Sequence, residues 1–102
     1  MKVVFRPAAR NDLERIHEWI AKDNPRAAVE MIRRIEGKLM LLTSPALARV
    51  GRPGLVDGTR ELIEGSYIVV YKIDEARGQI IVLAVVHGAC DRDGREADRS
   101  DR

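Results

Sequence analysis

Two apolar runs near the C-terminal end constrain this chain more than anything else in it. They are Tyr67-Ile-Val-Val-Tyr-Lys-Ile-Asp74 and Gln79-Ile-Ile-Val-Leu-Ala-Val-Val-His87. Both are short, rich in β-branched residues and separated by a turn ending at Gly78, so they read as neighbouring strands. A third strand, from Thr59 to Glu64, precedes them across the tight turn Gly65-Ser66. Side chains alternate between the two faces of a strand. Tyr67, Val69, Tyr71 and Ile73 then point one way, and Ile68 and Val70 the other, before Lys72 and Asp74. In the last strand Ile80, Val82, Ala84 and Val86 oppose Ile81, Leu83, Val85 and His87. An antiparallel sheet with one wet face alternates apolar and polar residues. This one is apolar on both faces, so both need a cover.

The first half of the chain supplies one cover. Val3-Val4-Phe5 is a short strand, and Pro7 suits the first turn of a helix, where its missing N–H costs nothing. Leu13, Ile16 and Ile20 recur at helical spacing with Trp19 beside them, which predicts a helix over 8–22. Asn24-Pro25 is an N-cap followed by a first helical residue. Ala28, Ile32, Ile35, Leu39 and Leu42 then form one apolar stripe, which predicts a second helix over 25–43. The short link makes the pair an antiparallel hairpin. Residues 44–58, with Pro45, Pro53 and three glycines before the sheet, read as a loop. The order is β-α-α-β-β-β: an α+β domain, a helical hairpin on a mostly antiparallel sheet.

Length and charge bound the rest. The chain has 102 residues, enough for one domain with a modest core. Residues 91–102 hold five acids and four arginines, a net −1, so residues 1–90 carry +3 of the total +2. That excess is too thin for the basic face of a dedicated nucleic-acid binder, so direct nucleic-acid binding is not expected. The division is a folded domain over 1–90 and a polar tail over 91–102, with the composition of disorder. Cys90 is the only cysteine. It fits a reducing cytoplasm and excludes an intrachain disulfide and a cysteine-based zinc site. No metal or other cofactor is expected. No apolar run approaches the roughly 20 residues of a membrane span, and the N-terminal apolar stretch is too short for a signal peptide.

Six motifs in this order resemble the ParE/RelE superfamily of bacterial type II toxins, and the ParE branch most closely. They are Phe5-Arg-Pro-Ala-Ala, Asn24-Pro-Arg-Ala-Ala, Gly51-Arg-Pro-Gly, Gly58-Thr-Arg-Glu-Leu, Tyr67-Ile-Val-Val-Tyr and Val86-His-Gly-Ala, spread over residues 2–90. The resemblance implies a small cytoplasmic toxin held in a hetero-oligomer with a cognate antitoxin. In the ParE branch the target is DNA gyrase, which is bound and poisoned; RelE-like members instead cut mRNA on the ribosome. That cleavage takes a base, an acid and several cations around the phosphate. RelE-like sequences provide two lysines on the second strand, an arginine opening the third, another after the last, and a tyrosine in the tail. Here Arg60 and Leu62 take the lysine positions, Ile68 the first arginine position and Cys90 stands near the second; residues 88–102 hold no tyrosine. A second nuclease type uses glutamate, arginine and histidine, for which Glu61 and His87 are candidates, but Ile68 again replaces the arginine. The reading is a non-enzymatic toxin with no catalytic residue. The alternatives are a RelE-like mRNA endonuclease, or a weakened or inactive paralogue that keeps its antitoxin, since Cys90 and the lack of a following Trp-Pro depart from the ParE pattern.

Candidate target contacts are His87, Gly88, Ala89, Cys90 and Arg92 at the end of the last strand, with Arg60 at the sheet entrance. Their bland roles differ. Tyr67 and Tyr71 read as core, His87 as either structural or functional, and Arg60 as a possible surface ion pair with Glu61 or Glu64, worth little. Charges such as Arg33 and Arg34 read as a solvated helix face. An antitoxin segment that folds on binding is expected across the sheet face the helices leave open, with part of it in the groove of the hairpin.

Overall fold

The structure, a computed structural model, describes residues 1–88. Strand β1 (Lys2–Phe5) leads into helix α1 (Pro7–Ala21) and helix α2 (Pro25–Leu41). A single 3₁₀ turn at Pro45–Leu47 follows. Strands β2 (Arg52–Pro53), β3 (Arg60–Glu64), β4 (Tyr67–Asp74) and β5 (Gln79–His87) complete the chain. Both helices open as their sequences dictate. Pro7 and Pro25 occupy first-turn positions, and the Asn24 side chain accepts the Ala27 N–H at 3.1 Å.

The sheet has five strands in the order β1-β5-β4-β3-β2. Only β1 against β5 is parallel; the other three pairings are antiparallel. The fifth strand and the 3₁₀ turn are the two elements that the sequence expectation lacks. Arg52 and Pro53 lie in the stretch read as a loop, yet they pair with Glu61 and Arg60. A two-residue strand carries no periodicity to read, and its proline is tolerated because it sits at the sheet edge. Gly65, at φ +60°, allows the two-residue turn between β3 and β4.

The hairpin covers one sheet face. Ile16, Ile35, Leu39 and Leu42 pack against Tyr67, Val69, Tyr71, Ile80, Val82 and Val85, all buried. Ile20 and Ile32 are partly buried against the same core. The expected face assignment in β5 needs correction. Val70 pairs with Ala84 but Tyr71 pairs with Val82, so Leu83 has no counterpart. This one-residue bulge reverses the alternation beyond it. Val85 therefore enters the core, and Ala84 and Val86 turn to the outer face, opposite to the regular count.

Candidate functional site

The outer face is closed differently from the inner one. Between β2 and β3 the chain makes a short flap, tied by the Gly54 N–H on the Thr59 carbonyl at 2.9 Å. Its tip residues Leu55 and Val56 lie over Ile68, Val70, Ala84 and Val86, enclosing a cavity of about 150 Å³. Leu55 and Val56 nevertheless stay 49% and 69% exposed. Glu61 also lines this cavity and is only 4% exposed. Its carboxylate accepts from Arg52 Nε at 3.1 Å, across the β2–β3 pairing. A buried carboxylate needs such a partner, because leaving it alone would cost several kcal/mol, on the order of 3–5.

Arg60, the polar residue ranked first in the sequence, faces the other way. It pairs with Tyr71, on the core side, and its guanidinium donates to main-chain carbonyls. Nε and Nη2 reach the Gly51 oxygen at 3.0 and 2.6 Å, and Nη2 reaches the Arg49 oxygen at 2.9 Å. The Tyr71 hydroxyl joins them, donating to the Ala48 carbonyl at 2.9 Å and accepting the Gly51 N–H at 3.2 Å. Gly51 has no alternative here: a Cβ would come within 2.6 Å of both the Tyr71 hydroxyl and the Glu61 carbonyl. Arg60 and Tyr71 together thus fasten residues 48–51 to the sheet. Glu61 is tied to Arg52, and Glu64 lies 3.7 Å from Lys38 Nζ.

His87 closes β5 and meets the Tyr67 ring edge-on, with centroids 5.4 Å apart and planes at 87°. The Gly88 N–H donates to the Ser66 carbonyl at 2.8 Å. A Cβ at Gly88 would stand 3.2 Å from Ile68 Cδ1, so the chain leaves β5 pressed close to the outer face. Ala89, Cys90 and Arg92 lie outside the described residues. His87 and Gly88 are therefore brought together, while Arg60 is placed with the 48–51 loop.

A second concavity opens on the helix side of the same strand end. A groove of about 660 Å³ runs between Asp12, Arg15, Ile16 and Trp19 of α1 and Tyr67, Val85, Val86 and His87 of the sheet. Asp12 ties its walls together: Oδ2 accepts the Val85 N–H at 2.9 Å, and Oδ1 accepts from Arg15 at 2.7 Å. Sequence reasoning missed this residue. The available signal was an acid at the helix position between Ala9 and Ile16, on the stripe that faces the sheet. Among the described residues no group of three or more His, Cys, Asp or Glu side chains is placed to hold a metal, and no helix is long and apolar enough to cross a membrane.

Comparison with known proteins places this architecture. Residues 3–92 match the model of the ParE toxin family of type II toxin–antitoxin systems. The Sinorhizobium fredii protein Y4kP, provisionally named a toxin, is 34% identical over 77 residues, spanning 74% of this chain and 75% of that protein. In the chromosomal ParDE system of P. aeruginosa, a chain superposes with a TM-score of 0.73 at 22% identity, covering 85% of this chain and 95% of that one. A chain of the RelBE2 toxin–antitoxin complex of Mycobacterium tuberculosis is 30% identical with a TM-score of 0.56, covering 84% of this chain and 95% of that one. A chain of the E. coli RelBE complex shares the fold at 13% identity and a TM-score of 0.51, covering 83% of this chain and 97% of that one. With 90 consecutive residues on the family model and a curated relative above 30% identity, this chain belongs to the ParE family of toxins of type II toxin–antitoxin systems.

Proposed function

We propose that this toxin is neutralised in the cytoplasm by a cognate antitoxin, forming a hetero-oligomer with it, and that it acts by binding DNA gyrase, not by cutting RNA. The observation that carries the non-nuclease reading is the outer face of β3. Cleavage of RNA draws cations and proton-transfer groups onto one phosphate. The outward residues of β3 are Glu61, buried and tied to Arg52, and Ile63. Arg60 and Leu62, which take the nuclease lysine positions by sequence, lie on the helix side. Arg60 is bonded to loop carbonyls, and Leu62 is packed on the core. Ile68 stands on the outer face where the nucleases carry arginine, and it is buried.

Gyrase as the target comes from the ParE branch and is supported here by the family match. The target contact in this reading is the end of β5, His87 and Gly88, continued by Ala89, Cys90 and Arg92. Arg60, the remaining candidate, stands level with Tyr71 and Val82, four positions along β4 from the Tyr67–His87 pair, and holds the 49–51 loop there. The antitoxin lies against apolar surface that the fold leaves open, including the flap tip at Leu55 and Val56.

The test sets two assays side by side: supercoiling and cleavage by purified gyrase, and mRNA cleavage on translating ribosomes. Gyrase inhibition without mRNA cleavage is the expected result. Codon-specific mRNA cleavage that disappears in His87→Ala would replace this reading with the RelE-like one. A chain that binds its antitoxin yet inhibits neither process would be an inactive paralogue. Truncation after Gly88 is expected to keep the antitoxin complex and abolish gyrase inhibition. Undiminished inhibition by the truncated chain would move the contact to another surface.

A further inference from the structure

The flap between β2 and β3 is a firm tip on a narrow base. The tip is closed on itself. The Val56 carbonyl accepts the Thr59 N–H at 3.1 Å and the Thr59 hydroxyl at 2.6 Å, and the Gly54 N–H donates to the Thr59 carbonyl at 2.9 Å. Gly54 lies so close to Thr59 that a Cβ would stand 2.2 Å from its Oγ1, and Gly58 turns the chain at φ +85°. The base is two residue pairs wide, and one pair contains Pro53, which has no N–H to give the ladder. Side chains reinforce it: Arg52 bonds the Glu61 carboxylate on the outer face, and Arg60 bonds the Gly51 carbonyl on the inner one.

Between tip and sheet the contact is apolar and slight. Leu55 and Val56 roof the cavity of about 150 Å³, yet are 49% and 69% exposed. The floor is Ile68, Val70, Ala84 and Val86. Ile68 also walls a second hollow of about 280 Å³, beside Ile63, His87 and Gly88. Swinging the tip outward would therefore join the two hollows into one apolar strip, running from Val70 to the end of β5. Segments with few buried apolar contacts open at low cost while the rest of the fold stays shut. In water the uncovered strip would draw the tip back.

We infer that residues 54–59 are a lid on the outer face, moving as one unit about the base that Arg52 and Glu61 hold. Shut, the lid masks the apolar strip; open, it uncovers it. A ligand that lies on the strip binds the open form and shifts the population toward it. Its apparent affinity is reduced in proportion to the fraction of molecules whose lid is open. The lid belongs to the fold itself, so it holds whichever macromolecule the toxin acts on.

The full-length protein with labelled methyl groups tests this, with a neutral soluble nitroxide as the probe of exposure. In the wild type the nitroxide should broaden the Val56 methyls strongly and those of Val70 and Ala84 weakly. Gly54→Ala, whose new Cβ displaces Thr59, should expose Val70 and Ala84 to the probe while Val69 and Val82 stay shielded. Glu61→Gln, which keeps the shape of the base and weakens its tie to Arg52, should act in the same direction. In the wild type itself the Thr59 amide should exchange with solvent at least about tenfold faster than that of Val69, the mark of an opening below the global one. Val70 and Ala84 broadened as strongly as Val56 in the wild type would mean that nothing covers the strip. Equal exchange at Thr59 and Val69 would make the flap part of the core, whether or not either variant folds. Folded variants that leave Val70 and Ala84 as shielded as before would remove the hinge.

Discussion

The two faces of this sheet are closed by opposite means. On the inner face α2 and its C-cap residue lay a continuous stripe, Ile35, Leu39 and Leu42, against Tyr71, Val69 and Val82, and every one of these is essentially inaccessible. On the outer face two residues of a flap, Leu55 and Val56, shelter a small cavity while remaining largely exposed themselves, and a buried carboxylate sits among apolar neighbours. Inner-face contacts are made between long elements that order together, so their burial translates into folding stability. The flap buries little and carries a glycine at each end of its tip, Gly54 and Gly58. The difference teaches where to look for each property: stability under the helices, and the proposed recognition at the exposed flap and the half-buried end of β5.

Mutations can break or sharpen this division. Ile35→Ala should cost about 2–5 kcal/mol in chemical denaturation, because it empties a site that neighbouring helix and strand residues cannot collapse into. A loss below about 1 kcal/mol would mean the inner face is not the stabilising one. Asp12→Ala should cost about 1.5–3 kcal/mol, the range for a charge-assisted hydrogen bond whose donor is left behind. Hydrogen exchange at the Val85 amide should accelerate with it. Tyr71→Phe should cost about 1–3 kcal/mol by stranding the Ala48 carbonyl and the Gly51 N–H. Its signature is the 48–51 loop, which should become protease-sensitive while the helices stay protected. Val56→Ser should change the unfolding free energy by no more than about 0.5 kcal/mol. A thermal shift as large as that of Ile35→Ala would erase the contrast and make the flap part of the core.

Much of the fold was legible from periodicity and punctuation. The Asn24-Pro25 start, the stripe from Ala28 to Leu42 and the two apolar runs identify the hairpin and the sheet, because each involves many residues repeating one period. What escaped depends on single residues. The β2 pairing is two residues long. The bulge at Leu83 leaves no mark, since β5 is apolar in both phases and either alternation reads as sensible. Arg60 was legible as important but not as to its role: hydrogen bonds to the Gly51 and Arg49 carbonyls depend on where a distant loop returns. Asp12 and Val85 lie 73 positions apart, and no local pattern joins them. Of the candidate contact residues, His87 lines the groove beside α1 and Gly88 follows it against Ile68 on the outer face, whereas Ala89, Cys90 and Arg92 lie outside the described residues.

The spare residue in β5 also affects how this protein is compared with its relatives. Regular strands can be matched by counting, since equal counts mean equal positions in space. Across Leu83 that equivalence fails by one. A relative whose last strand lacks the extra residue would superpose on Val85 and His87 with a gap opposite Leu83, and an ungapped count would set every later residue against the wrong neighbour. Removing Leu83 should accordingly be among the mildest single deletions in the sheet: it shortens the strand yet keeps Val85 facing the helices and His87 beside Tyr67.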